Sequence, residues 1–259
     1  MKDDVREYLY KQFERILKLK ESARGEVWMA RDQTGGLVIW KYIKATGLPY
    51  AILKQNPHRL WPKVLYCAED EEGNDTNIIT EMINGQIIKN RIETGRVFDE
   101  EQVVAFLLQI CDGLEQLHSM GIIHRDIKPD NLMLFKDRIY LLDFDAAREF
   151  KPEKSRDTRF LGTYGYAAPE QFGYAQTDER SDIFSLGKTM QEMLPGCYDG
   201  YLKPILAKCT ELDPKNRYQN VNELRKAIVK SNGWSVWKKV GVVAATIFAL
   251  TTTGVFGDD

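Results

Sequence analysis

With 259 residues and 43% hydrophobic content, the chain is long enough for one two-lobed domain built around a continuous core. Its 36 basic and 38 acidic residues nearly cancel, which excludes a global field drawing it to nucleic acid. The four cysteines, at positions 67, 111, 197 and 209, form no Cys-x-x-Cys pair, which argues against a zinc site or a disulfide framework and for a reducing cytosol.

Residues 1–14, beginning MKDDVREYLYKQF, mix charges with single apolar residues, the pattern of an amphipathic helix and not of a secretory signal. From Arg15 to Lys44 apolar and polar residues alternate around turn signals at Ala23-Arg24-Gly25 and Thr34-Gly35-Gly36, predicting three antiparallel strands joined by hairpins. Two further apolar runs, Val64–Ala68 and Asn77–Met82, flank the acidic turn 69–75 and complete a small sheet. After Asp99 the period changes. Val103, Phe106, Leu107, Ile110, Leu114 and Leu117 recur at helical spacing, with Asp99 as cap and acids in the first turn. The remainder reads mainly as helical, so the fold class is α+β, with a strand-rich N-lobe over 15–83 and a helical C-lobe over 84–230.

The run Val240–Phe256 carries no charge and spans roughly 25 Å as a helix, the short end of a membrane crossing. Trp234 and Trp237 suit the interface. Lys238 and Lys239 precede the run and Asp258 and Asp259 follow it, which puts the N-terminal part on the cytoplasmic side. The sequence thus predicts a juxtamembrane segment 231–239 and a single-pass helix 240–256 in the cell membrane; a buried or interfacial helix is the alternative.

The chemistry begins with His124-Arg125-Asp126-Ile127-Lys128-Pro129-Asp130-Asn131. Phosphoryl transfer to a hydroxyl needs a proton acceptor, which Asp126 offers, and an oxygen ligand for a metal, which Asn131 offers. Farther on the strand Ile139-Tyr140-Leu141-Leu142 leads into Asp143-Phe144-Asp145, then come Gly162-Thr163-Tyr164-Gly165-Tyr166, Ala168-Pro169-Glu170, Asp182 and Arg217. Over roughly Arg15 to Val229 this order resembles the bacterial Hanks-type (eukaryotic-like) Ser/Thr protein kinases. The resemblance implies ATP with Mg2+ or Mn2+ as cofactors, Asp126, Lys128 and Asn131 as catalytic residues, and Asn131 and Asp143 as metal ligands. Lys128 marks the Ser/Thr form of the loop. It also implies that Phe144 packs beside His124, that Thr163 contacts Asp126, that Asp182 braces the catalytic loop, that Arg217 pairs with Glu170, and that Arg125 faces an activation-segment phosphate or acid.

Val38-Ile39-Trp40-Lys41 resembles the strand whose lysine meets the ATP phosphates. Gly25 and Val27 then belong to the glycine-rich loop, Thr80 is the gatekeeper, Glu81 and Ile83 lie in the adenine hinge, and Val27 and Met133 sandwich the ring. Ser155 and Thr158 are candidates for autophosphorylation, in trans if the chain self-associates, and the partners implied are protein substrates.

The pattern breaks in three places. The glycine-rich loop reads Lys20-x-Ser22-x-x-Gly25, keeping its last glycine alone. No aspartate or glutamate occurs between Lys41 and Glu69, so the family's C-helix glutamate is missing, and Pro49–Gln55 makes a short C-helix. Asp145 replaces the glycine of the DFG motif. A buried ammonium needs a counter-ion, and Asp145, or else Asp143, is expected to supply it to Lys41; alternatively Asp145 recruits a metal or faces solvent. Two functions are compatible with this pattern: an active membrane-tethered Ser/Thr kinase, or a pseudokinase scaffold that binds nucleotide or partners without transfer.

Overall fold

The computed structural model describes residues 2–70, 73–150, 162–172 and 177–231. The N-terminal helix, α1 (Lys2–Gln12), docks through Leu9, which is fully buried among Ala30, Val38, Trp40 and Ile79. It ends before residue 14, the predicted boundary, because Phe13 already pairs with Asp32 in strand β1 (Phe13–Ser22) and rests edge-on against Trp40. The Arg15 guanidinium lies 4.1 Å over the Trp40 ring, a cation–π contact that covers the same apolar face.

The three predicted strands and their hairpins form as β1, β2 (Gly25–Asp32) and β3 (Leu37–Ile43). With β4 (Val64–Glu69) and β5 (Thr76–Glu81) they make an antiparallel sheet in the order β1-β2-β3-β5-β4. Gly25 has φ +146°, and a Cβ there would lie 2.0 Å from the Tyr42 carbonyl oxygen. Glycine at the start of β2 is therefore demanded by the approach of β3. Between β3 and β4 runs a helix of six residues, α2 (Tyr50–Gln55), with Pro49 immediately before it, where a missing N–H is tolerated.

Strand β6 (Gln86–Ile87) and helix α3 (Ile88–Glu93) lead into α4 (Glu100–Ser119). The Asp99 carboxylate accepts the Gln102 N–H at 2.8 Å and the Gln102 side chain accepts the Asp99 N–H, a reciprocal cap that fixes the start of α4. Beyond α4 the chain departs from the mainly helical remainder expected of it. Besides the expected strand before Asp143, β9 (Arg138–Leu141), short strands β7 (Ile122–Ile123), β8 (Leu132–Phe135) and β10 (Arg148–Glu149) intervene, pairing as β10-β7 and β6-β8-β9. Such pieces are too short for a period to show in sequence. Helices α5 (Glu179–Met193), α6 (Leu202–Cys209) and α7 (Val221–Ser231) complete the C-lobe.

One set of buried side chains runs from Leu53, Leu60 and Ile78 through Phe144 to Leu107, Leu186 and Leu224, so the lobes share a core. Leu60 is its joint. Its carbonyl accepts the Leu141 N–H, and its side chain fills the space where Gly113 of α4 has no Cβ; a Cβ there would be 2.2 Å from Leu60 Cδ2 and 2.6 Å from its Cβ. Helix propensity favours alanine over glycine by ~1 kcal/mol, but overlap in a packed core costs roughly 1–3 kcal/mol or more. Gly113→Ala is therefore expected to lower the urea midpoint; a raised midpoint would show that Leu60 yields freely.

α7 takes up Ser231, the first residue of the predicted juxtamembrane segment. No helix among the described residues is long and apolar enough to cross a membrane, and the predicted run 240–256, like Ser155 and Thr158, lies outside them.

Candidate active site

The segment between β7 and β8 would be a loose turn if Asp182 did not hold it. This carboxylate, fully buried on α5, accepts the backbone N–H groups of His124 at 2.9 Å and Arg125 at 2.8 Å and the His118 ring at 2.8 Å. Burial alone would raise Asp182, but its hydrogen bond with His118 and the further donors keep it below the ordinary carboxylate value. The bracing is needed because Arg125 has φ 70°, a left-handed conformation that costs a non-glycine residue energy.

Pro129–Asn131 then make a tight 3-10 turn that folds Asn131 back onto Asp126. The Asn131 amide donates to the Asp126 carbonyl at 2.8 Å and to its Oδ2 at 2.9 Å, which directs the Asn131 amide oxygen the other way. Asp126 Oδ1 accepts from the Thr163 hydroxyl at 2.7 Å, Thr163 accepts from Lys128 Nζ at 2.6 Å, and Lys128 Nζ lies 2.9 Å from Asp126 Oδ2. Asp126, Lys128, Asn131 and Thr163 are thus one hydrogen-bonded unit.

The second half of the site centres on Lys41, in β3 opposite Val27 and Ile78. Its Nζ lies 2.8 Å from Asp143 Oδ1 and 3.3 Å from Asp145 Oδ1. Both candidate counter-ions are present, Asp143 the nearer, and Asp145 is half-buried with its Oδ1 turned to Lys41. Tyr50, the first residue of α2, closes the group: its hydroxyl donates to Asp145 Oδ1 at 2.7 Å, accepts from Lys41 Nζ at 3.2 Å and receives the Phe144 N–H at 3.3 Å. Burial alone would lower Lys41, yet the two carboxylates hold its ammonium well above the ordinary lysine value. Burial works against Asp143 too, but Lys41 and the hydrogen bonds from Asp145 bring it well below the usual carboxylate range. Burial raises Asp145, against the pull of Lys41, and the Asp143 charge beside it adds to the rise. Two carboxylates facing one ammonium cannot both be fully matched.

Phe144 sits where expected, 4.9 Å from the His124 ring. Trp61 at 5.9 Å and Tyr50 at 6.2 Å pack edge-on against it. At the hinge, Thr80 is buried on β5, and Glu81 spends its N–H on the Lys63 carbonyl. Ile83 lies in the stretch 82–85 between β5 and β6, half-buried and outside any ladder. Half-buried Val27 on β2 and Met133 on β8 carry the predicted flanking side chains, and Gly85 lies close enough to Met133 that a Cβ would be 2.7 Å from its Cγ.

Residues 51–201 match the family model of the protein kinase domain. The chain belongs to that family. Against the curated kinases, it is 29% identical over 184 residues to a probable serine/threonine-protein kinase of Clostridium acetobutylicum, covering 59% of this chain and 28% of that protein. It is 30% identical over 200 residues to ribosomal protein S6 kinase alpha-2 of Mus musculus (71% and 27%), and 29% identical over 181 residues to a probable serine/threonine-protein kinase of Streptomyces coelicolor (57% and 27%). The chain therefore spans about a quarter of the length of these kinases. The matched region holds the catalytic loop, Asp143, Glu170 and the departure at Asp145, whereas Gly25, Lys41 and Tyr50 precede it, in the part with the degraded glycine-rich loop and the start of the acid-free stretch.

In this kinase domain Arg217 closes the far end of the activation segment as expected, gripping Glu170 through two nitrogens at 2.7 and 2.9 Å. The oxygens assigned to a metal, from the Asn131 amide and the Asp143 carboxylate, are of the hard type that magnesium and manganese prefer. Among the described residues no group of three or more His, Cys, Asp or Glu side chains could hold a metal ion. Sequence reasoning missed Tyr50 and Trp61; one feature pointing at Tyr50 was the short α2 directly after a proline, in the place of the absent glutamate.

Proposed function

We propose that this chain is a Ser/Thr protein kinase that transfers the γ-phosphate of ATP to Ser or Thr of proteins, itself included, at the cytoplasmic face of a membrane. The observation that carries the reading is the Asp126–Asn131–Lys128–Thr163 unit, because packing alone does not demand a carboxylate, an amide, an ammonium and a hydroxyl in mutual contact. Asp126 would orient the acceptor hydroxyl and take its proton, and Lys128 would neutralise charge on the phosphoryl group in flight. Lys41 would hold the α- and β-phosphates, with Glu81 and Ile83 on adenine and Val27 and Met133 on its faces. Gly25 would leave room for the phosphates, beside its packing duty. Asn131 and Asp143 would hold Mg2+ or Mn2+, which when bound neutralises and orients the β- and γ-phosphates.

Membrane attachment rests on the uncharged run Val240–Phe256 and the lysines before it. The full chain is expected to sediment with membranes and to need detergent for release; release by high salt would indicate an interfacial helix.

The scaffold reading is favoured by one observation, that Lys41 is clasped between Asp143 and Asp145 and must leave Asp143 before it can serve phosphates. Incubating the detergent-solubilised chain with γ-labelled ATP, magnesium and a generic protein substrate separates the two. Label on Ser or Thr that disappears with Lys41→Ala is the expected result; ATP binding without label would establish the scaffold.

A further inference from the structure

α2 reads Tyr-Ala-Ile-Leu-Lys-Gln and offers Lys41 no carboxylate, yet its first residue sends a phenol into the middle of the ion cluster. We propose that Tyr50 is a positioning residue for phosphoryl transfer, holding Asp145 as the fixed counter-ion of Lys41. The inference rests on the kinase reading above for its consequence in turnover, and on geometry for the rest.

Three contacts meet at one oxygen. Tyr50 donates to Asp145 Oδ1 at 2.7 Å, accepts from Lys41 Nζ at 3.2 Å and accepts the Phe144 N–H at 3.3 Å. Its ring is fully buried edge-on against Phe144, itself backed by Trp61 and His124, so the hydroxyl has little freedom to turn away. Asp143 is the carboxylate assigned to the metal, which leaves Asp145 for Lys41. Untethered, Asp145 would be a second mobile carboxylate beside the metal and phosphates. A hydrogen bond from Tyr50 keeps it on the lysine side.

The same arrangement explains why α2 does without an acid. Asp143 and Asp145 already set two negative charges against one ammonium, and a glutamate in α2 would add a third in a buried site where like charges repel strongly. A neutral phenol supplies the tether without the charge.

The test uses the full chain and two readouts: turnover, and the rate at which an amine-reactive acylating reagent modifies Lys41 in the absence of nucleotide, mapped by mass spectrometry. Tyr50→Phe keeps the ring and removes the oxygen. It is expected to raise Lys41 labelling about fivefold relative to the other lysines and to lower kcat about tenfold with KM for ATP within about threefold, the scale of a lost hydrogen bond to a charged group. Asp145→Gly should do the same, and the double variant should go no further than the stronger single one, because both break one link. Unchanged labelling of Lys41 in Tyr50→Phe, or losses that multiply in the double variant, would overturn the proposal while leaving the kinase reading intact. Altered labelling in a chain that transfers no phosphate would sink the kinase reading and keep the tether. Should Tyr50→Phe fail to fold, Asp145→Asn, which keeps the phenol and removes the counter-ion charge, must raise Lys41 labelling in its place; labelling at the wild-type rate there overturns the proposal equally.

Discussion

Asp126→Asn is expected to lower kcat by about 10²–10⁴-fold, the contribution of a positioned general base, while the affinity for ATP changes little. The variant keeps the size of the side chain and an oxygen able to accept from Thr163, so the hydrogen bond at 2.7 Å has a replacement. It loses the negative charge that faces Lys128 at 2.9 Å and the capacity to take a proton from the acceptor hydroxyl. Steady-state rates with a protein substrate, beside a nucleotide titration, would measure both quantities. Turnover within tenfold of the wild type would remove Asp126 from the role of base and leave positioning alone to account for transfer.

Arg217→Met should cost about 3–5 kcal/mol of stability, the usual penalty for leaving one member of a buried ion pair alone. Arg217 is almost completely buried and donates to both Glu170 oxygens and to the carbonyls of Arg180, Glu211 and Leu212. Methionine fills much of the volume but leaves Glu170 a hydrogen bond from Ser181 and no counter-charge. For a domain of this size each kcal/mol moves the melting temperature by roughly 2–4 °C, so a drop of about 6–20 °C is expected by calorimetry. Replacing Glu170 with leucine in the same background should recover part of the loss, since an apolar pair needs no counter-charge. A melt within about 3 °C of the wild type for Arg217→Met would show that the pair is dispensable for folding.

Legibility in the residues has a spatial logic. His124 to Asn131 is contiguous, and its geometry is mostly local: a 3-10 turn returns Asn131 to Asp126 five positions earlier. That part was legible because the letters and their spacing are the mechanism. Asp99 as the cap, the two hairpin turns and the helical period of α4 are legible for the same reason, each resting on residues a few positions apart. The boundary between α1 and β1 falls before residue 14 because Phe13 is drawn into the sheet by Trp40, a residue far along the chain, and long-range packing overrides local pattern. The strand before Asp143 is legible and forms as β9, whereas β7, β8 and β10, of two to four residues, are too short for a period to show.

By itself the sequence determined the order of the catalytic groups, the absence of an acid between Lys41 and Glu69 and the presence of an extra one at Asp145, since these are statements about composition and order. Only the tertiary structure decided who neutralises whom. Lys41 meets Asp143 and Asp145 across separations of 102 and 104 residues, and Tyr50 reaches Asp145 across 95. Beyond its place directly after Pro49 at the start of a short helix, nothing local distinguishes Tyr50 from the other tyrosines among the chain's 12. Its role arises because the short α2 brings its first residue over the Asp143–Asp145 turn, where burial makes every unpaired charge or hydroxyl expensive and so forces the groups that meet there to satisfy one another.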